Sequence, residues 1–183
     1  MITHDLIDRY INVLKEYNET TNIYSKKAYD KLDFHIQDSL QLSKIIGDDQ
    51  LLVYDFGSGS GLPSIPHAIA NPTNSVVAFE SKSRKTRFLS HAADVLGLDN
   101  YHVETVNIVE YGRQLVEAPD VITAKAFTPY ESIHTYTKGF VKKGTVLYIP
   151  ISAVQFSVYS QLELDCELLS FPDKGFYYIK HTY

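Results

Sequence analysis

Five short strand-like runs constrain the fold of this 183-residue chain, because stretches of helical periodicity separate them. The runs are LLVYDF (51–56), SVVAFE (75–80), YHVETV (101–106), PDVITAKAF (119–127) and GTVLYIP (144–150). The first two are apolar in the way that suits a buried parallel strand. Between them, 62–70, 83–96 and 129–140 read as helices. Pro63 and Pro66 lie near the start of the first, where a missing N–H costs least, and Gly97 ends the second. Strand and helix by turns imply a parallel sheet wrapped on both faces.

Before the first run, Leu6, Ile7, Tyr10, Ile11, Leu14 and Tyr17 recur at intervals of three and four residues, which predicts an amphipathic helix over 5–17. A second helical pattern covers 29–46. After the last run, CELLSF and GFYYIKHTY flank the turn signal PDKG and predict two antiparallel strands at the sheet edge. The expected architecture is α/β, a Rossmann-like, mostly parallel twisted sheet with helices on both faces. It forms a single domain, with 1–47 as an N-terminal helical cap and 48–183 as the core.

Composition narrows the function classes. A net charge of −5 argues against indiscriminate coating of nucleic acid, since phosphate contacts need many cations. The segment SKSRKTR nevertheless gathers Lys82, Arg84, Lys85 and Arg87, either as a solvated first helical turn or as a surface facing nucleic acid. One cysteine, Cys166, gives no disulfide framework, and the seven histidines do not pair at ligand spacing, so no metal is expected. The N-terminus does not read as a signal peptide, and no apolar run is long enough to cross a bilayer. A cytoplasmic protein is expected, away from membranes.

The stretch YDFGSGSGLPSIP closes the first predicted strand. Gly57, Gly59 and Gly61 tolerate positive φ and let a ligand approach the main chain. In a doubly wound sheet this first turn lies against the cofactor. The spacing is G-x-G-x-G, with Leu62 where a dinucleotide fingerprint needs a small residue, and it lacks the Gly-Lys-Ser/Thr ending of a phosphate loop. Glu80 closes the second strand, where its carboxylate either accepts both hydroxyls of a ribose diol or caps the following helix.

G-x-G-x-G followed by that acid resembles the class I methyltransferases, which bind S-adenosylmethionine. DFGSGSGLPSIPHAIA and FESKSRKTRFLSHAADVLGLDN, together with TNIYSK, FHIQDSL, AKAF and FPDKGFYYIKH, make the chain similar to the RsmG (GidB) family over nearly its whole length. That resemblance implies S-adenosylmethionine-dependent methylation of guanine N7 in 16S rRNA of the small ribosomal subunit, with no DNA partner and a monomeric protein. Asp55, Gly57, Ser58, Gly59, Gly61, Leu62, Glu80, Ile108, Val109 and Lys125 are then the cofactor residues. His35, Asp38, Lys82, Arg84, Lys85, Arg87 and Lys125 face RNA. His35 and Asp38, three apart on a helix, share one face and either meet substrate or stiffen the helix. No catalytic base is expected, because guanine N7 carries a lone pair and no proton.

Four places depart from the family pattern. Phe34 stands before His35 instead of arginine, Lys125 replaces an arginine, Asn107, Ile108 and Val109 replace Arg-x-Glu, and YIPI around Pro150 replaces a lysine. These departures leave open a relative that binds cofactor without turnover, or a methyltransferase acting on a small molecule. A closed apolar pocket beside Lys125 would mark the latter.

Overall fold

The computed structural model describes residues 2–111, 117–137, 139 and 141–183. Seven strands form one sheet: β1 (Leu52–Phe56), β2 (Ser75–Glu80), β3 (Tyr101–Thr105), β4 (Val121–Thr123), β5 (Val146–Ile151), β6 (Glu167–Phe171) and β7 (Phe176–Thr182). Their spatial order is β3-β2-β1-β4-β5-β7-β6. The first five run parallel, and β7 pairs antiparallel with both β5 and β6. The chain builds outward from β1 to β3 and then returns to β4 on the other side. The order therefore reverses between β1 and β4, where open α/β sheets bind ligands at their carboxyl ends.

The helices are α1 (Ile2–Thr20), α2 (Leu32–Ile46), α3 (Ser64–Ala70), α4 (Ser83–Leu96), α5 (Ile108–Tyr111), α6 (Tyr130–Thr137) and α7 (Ala153–Tyr159). Strand alternation divides the core. Val53, Val76 and Ala78 face the layer that holds Tyr10 and Leu14 of α1, Ile36 of α2, Ile65 of α3 and Phe88 and Leu89 of α4. Tyr54, Phe56, Phe79 and Ile122 face the opposite layer, with Ile108 of α5 and Ile133 of α6. This is the Rossmann-like sheet with helices on both faces that the alternation predicts, edged by the C-terminal hairpin.

Four segments differ from the sequence expectation, one of them the single turn of α5, Ile108–Tyr111, given no element by the sequence reading. The fourth run is a strand only over Val121–Thr123, and Ala126, with φ of 51°, turns the chain away from the sheet. The second helix begins at Leu32, preceded by a 3-10 turn over Lys26–Lys31. Residues 153–159, given no element by the sequence reading, form α7, closed by a reciprocal cap. There the Ser152 amide donates to Gln155 Oε1 and the Gln155 amide donates to Ser152 Oγ. Lys138 and Phe140, placed in the third core helix by that reading, lie outside the described residues.

Candidate functional site

The glycine turn is tied down from three sides. The amides of Gly57 and Ser58 both donate to the Phe79 carbonyl, at 2.9 and 3.1 Å. The Tyr10 hydroxyl, reaching from α1, donates to the Ser60 carbonyl at 2.6 Å. Glu80, at the end of β2, accepts from the Gly59 amide at 3.1 Å with one oxygen and from the Lys82 amide at 3.0 Å with the other. The Lys85 ammonium lies 3.7 Å from the first of these oxygens. Glu80 is thereby locked to the turn; the Ser81 hydroxyl also donates to the second oxygen, at 3.5 Å, so the long contacts from Ser81 and Lys85 are the ones a diol would replace.

Gly57 and Gly61 need their bareness for different reasons. Gly57 has φ of 70°, and a Cβ there would come within 2.7 Å of the Phe127 ring. Gly61 has φ of 87°, and a Cβ would collide with the Ile65 side chain on α3. The first keeps the turn open toward Phe127, and the second lets the turn close onto the helix.

Beyond the strand ends lies a cavity of about 200 Å³, lined by Gly57, Glu80, Lys82, Lys85, Ile108 and Phe127 among others. It holds three of the expected cofactor residues, Gly57, Glu80 and Ile108. Ser58, Gly59, Gly61 and Leu62 shape the turn behind it. Asp55 is buried beneath: Thr123 Oγ1 donates to its Oδ1 at 2.6 Å, and Oδ2 is buried without a hydrogen-bond partner. Burial pushes the Asp55 carboxyl above the ordinary range, with the Thr123 hydroxyl opposing. The side chain of Val109 lies outside the described residues.

Lys125 follows β4, and its ammonium sits 2.9 Å from Asp38 Oδ2 on α2. The Tyr178 hydroxyl donates to Asp38 Oδ1 at 2.8 Å. Lys125, His35 and Asp38 line a second cavity, of about 460 Å³, together with Pro150, Tyr159 and Ile179 among others. Its walls come from α2, the bend after β4, the end of β5 and α7. The expected pairing of His35 and Asp38 on one helix face is thus the wall of a cavity. Burial, followed by the nearby Lys125 charge, lowers the His35 pKa, and its Nδ1 is buried without a hydrogen-bond partner. The ring is therefore neutral at physiological pH.

Ala126 lines both cavities. Lys82 and Lys85 line the first cavity and also a third, outer trough that includes Arg84. Arg87 is exposed and lines none of the three. The sequence reading did not single out Phe127, although the turn after β4 in this sheet order was the place to look. Among the described residues, no cluster of three or more His, Cys, Asp or Glu side chains could hold a metal ion. Among the same residues no helix is long and apolar enough to cross a membrane.

The residues fit a methyl donor with an adenosine end. A turn at the sheet's switch point that a Cβ would obstruct and a carboxylate fixed at its rim suit a ribose diol, and Ile108 offers an apolar wall for a base.

Comparison with known proteins finds the family model described as GidB, rRNA small subunit methyltransferase G, matching residues 3–176. Ribosomal RNA small subunit methyltransferase G of Brachyspira hyodysenteriae (strain ATCC 49526 / WA1) is 39% identical over 138 residues, covering 75% of this chain and 64% of that protein. The protein of the same description from Neisseria meningitidis serogroup C (strain 053442) is 33% identical over 162 residues, covering 88% of this chain and 74% of the relative. The matched part of the chain thus spans about two thirds to three quarters of these relatives. Among solved structures, a coclaurine N-methyltransferase bound to N-methylheliamine and SAH aligns with a TM-score of 0.57 at 18% identity, over 81% of this chain and 48% of that one. That likeness concerns the fold.

Proposed function

The chain belongs to the GidB family, rRNA small subunit methyltransferase G, and on that premise we propose that it methylates N7 of a guanine in 16S rRNA, using S-adenosylmethionine. The observation that carries this reading is that Ala126 lines both the cavity rimmed by Gly57 and Glu80 and the cavity lined by His35 and Lys125, so the two are neighbours. A donor held in the first faces an acceptor base held in the second. In this reading residues 1–47 act as a cap that supplies His35 and Asp38, and 48–183 form the cofactor-binding core.

Gly57, Glu80, Ile108 and Phe127 would hold the cofactor, and when bound there it supplies an electrophilic methyl group. Glu80 is oriented by two main-chain amides before any ligand arrives, so little reorganisation is needed to meet a diol. Lys125, steadied by Asp38, and neutral His35 present polar groups to a base in a cavity whose wall also carries Thr128 and the exposed Phe34, Ser152, Ala153 and Gln155, unlike the closed apolar pocket that would mark a small-molecule methyltransferase. Guanine N7 already carries an in-plane lone pair and no proton, so the chain supplies placement and exclusion of water, and orientation of this kind contributes on the order of 7–11 kcal/mol in well-aligned systems. Asp55 serves the turn's architecture from below, buried against Thr123.

The test has two parts. Calorimetry with S-adenosylhomocysteine is expected to show saturable binding that Glu80→Ala weakens. Labelled methyl transfer from S-adenosylmethionine to purified small subunits lacking the modification is expected to place the label on one guanine N7. Binding of the homocysteine product without any transfer to small subunits would remove the substrate assignment.

A further inference from the structure

Resting on the reading above, we propose that the trough between α1 and the start of α4 holds the phosphate backbone of the RNA strand flanking the target guanine. The trough encloses about 640 Å³. The connection from α1 to α2 contributes Lys26 and Lys27, and the start of α4 contributes Lys82, Arg84 and Lys85. These five cations meet one carboxylate in its lining, Glu19, in a protein whose net charge is −5. Lys26 pairs with Glu19 at 3.2 Å, but both side chains are more than half exposed, and such a pair is easily exchanged for another anion. Lys27, Lys82 and Arg84 are exposed to solvent.

The chemistry of the trough selects a polyanionic strand. Its remaining lining is mostly Asn, Thr and Ser, of which the buried Asn18 is committed to Tyr24 and Tyr29 while Thr21, Asn22 and Ser25 are polar groups of the wall, and its one apolar residue is Ile23. An apolar ligand or the anchor residue of a protein partner would find little to bury. Against a negative protein surface, one concave positive strip also fixes how a polyanion approaches.

Position makes the strip specific to this site. Lys82 and Lys85 line both trough and cofactor cavity, and Ala126 lines both that cavity and the one beside Lys125. Trough and cofactor cavity are therefore neighbours, and so are cofactor cavity and acceptor cavity. A strand with its phosphates in the trough crosses the mouth of the cofactor cavity and delivers an unstacked base beyond it, the manner in which proteins read single-stranded RNA segments.

The triple variant Lys26→Gln, Lys27→Gln, Arg84→Gln tests this assignment, assayed on small subunits lacking the modification and, separately, with S-adenosylhomocysteine. All three side chains are exposed, so Tm and the affinity for S-adenosylhomocysteine are expected to match the wild type. KM for small subunits is expected to rise about tenfold or more with kcat little changed, and the slope of log KM against log salt to fall by up to about 2, since each single-strand phosphate contact contributes roughly 0.7. An active triple variant with unchanged KM and salt slope overturns the trough and leaves the methyltransferase reading intact. Wild-type protein that binds S-adenosylhomocysteine yet methylates no small subunit overturns that reading, and the trough's assigned partner with it.

Discussion

Asp38 on α2 and Lys125 after β4, 87 positions apart, meet at 2.9 Å and fasten the N-terminal helices to the carboxyl end of the sheet. Both side chains are largely buried, at 9% and 17% exposure. The pair does two things at once: it closes one wall of the 460 Å³ cavity and fixes where the ammonium sits.

Asp38→Ala removes one partner of this pair and strands the other. Breaking a buried pair from one side costs about 3 kcal/mol or more, because a desolvated charge is left behind. The expected result is a loss of that size in urea unfolding. Methyl transfer is expected to suffer further, with kcat/KM on small subunits down about tenfold or more even below the new Tm, while affinity for S-adenosylhomocysteine changes little, since Glu80 and Gly57 are untouched.

Tyr178→Phe separates support from charge. The hydroxyl is fully buried and donates to both the carboxylate and the main-chain carbonyl of Asp38. Its removal leaves the Asp38–Lys125 pair in place at a cost of about 1–2 kcal/mol. Unfolding by urea is expected to register that loss, and methyl transfer to fall less than in Asp38→Ala. Equal damage from both changes would mean that Asp38 acts only as a brace.

Such pairings lay outside what the sequence makes legible. Strands β1, β2 and β5 are readable because apolar runs leave no other partner than a buried sheet, β3, an edge strand with His102, Glu104 and Thr105 exposed, is readable from its place in the strand–helix alternation, and PDKG marks the final hairpin, where Gly175 adopts φ of 72°. The turn at Gly57 and the acid at Glu80 are readable because main-chain geometry and strand ends dictate them. Helix α7 escaped because Val154 and Val158 point to solvent, so its apolar residues mark no buried face, although Ser152 and Gln155 spelled the cap. The run 119–127 was read too long because its composition stays apolar through Phe127 while Ala126 bends the backbone out. Lys26 and Lys27 look like ordinary loop charges until the fold sets them opposite Arg84. Contacts between distant segments are products of topology, and no local pattern encodes them.

Gly57→Ala and Gly61→Ala are expected to fail in different assays. At Gly57 the new methyl meets a ring edge of Phe127, which lines the cofactor cavity, so affinity for S-adenosylhomocysteine falls while stability drops by about 1 kcal/mol from the positive φ. At Gly61 the methyl drives into Ile65, a fully buried residue of α3. Overpacking there adds to the same backbone penalty, for a total of about 2–4 kcal/mol read by thermal or urea unfolding. Calorimetry on Gly61→Ala, below its Tm, is expected to show the smaller binding loss of the two.

His67 on α3 gives the fold an acid sensitivity independent of the site. Its Nδ1 lies 3.2 Å from the Asn71 amide nitrogen and its Nε2 lies 3.1 Å from that of Asn74. Those nitrogens donate to the carbonyls of Ser43 and Gly47, which fixes their orientation, and the neutral ring accepts from one of them through its unprotonated nitrogen. A doubly protonated ring would set N–H against N–H on both sides, and burial, the largest cause, opposes the charge further, taking the His67 pKa to about 4. The unfolded chain binds that proton near pH 6.5, so between pH 6.5 and 4 it holds more protons than the native state. Stability from this group is complete above pH 6.5 and declines as pH falls through the window, by up to about 3 kcal/mol. His67→Gln removes the titration but also a well-fitted ring, so it is expected to be less stable than wild type at pH 7 and to close that gap by pH 4. Urea unfolding of the two proteins at half-unit pH steps measures the gap directly, and a gap that stays constant across the window would mean that His67 takes up its proton as readily in the native state as in the unfolded chain.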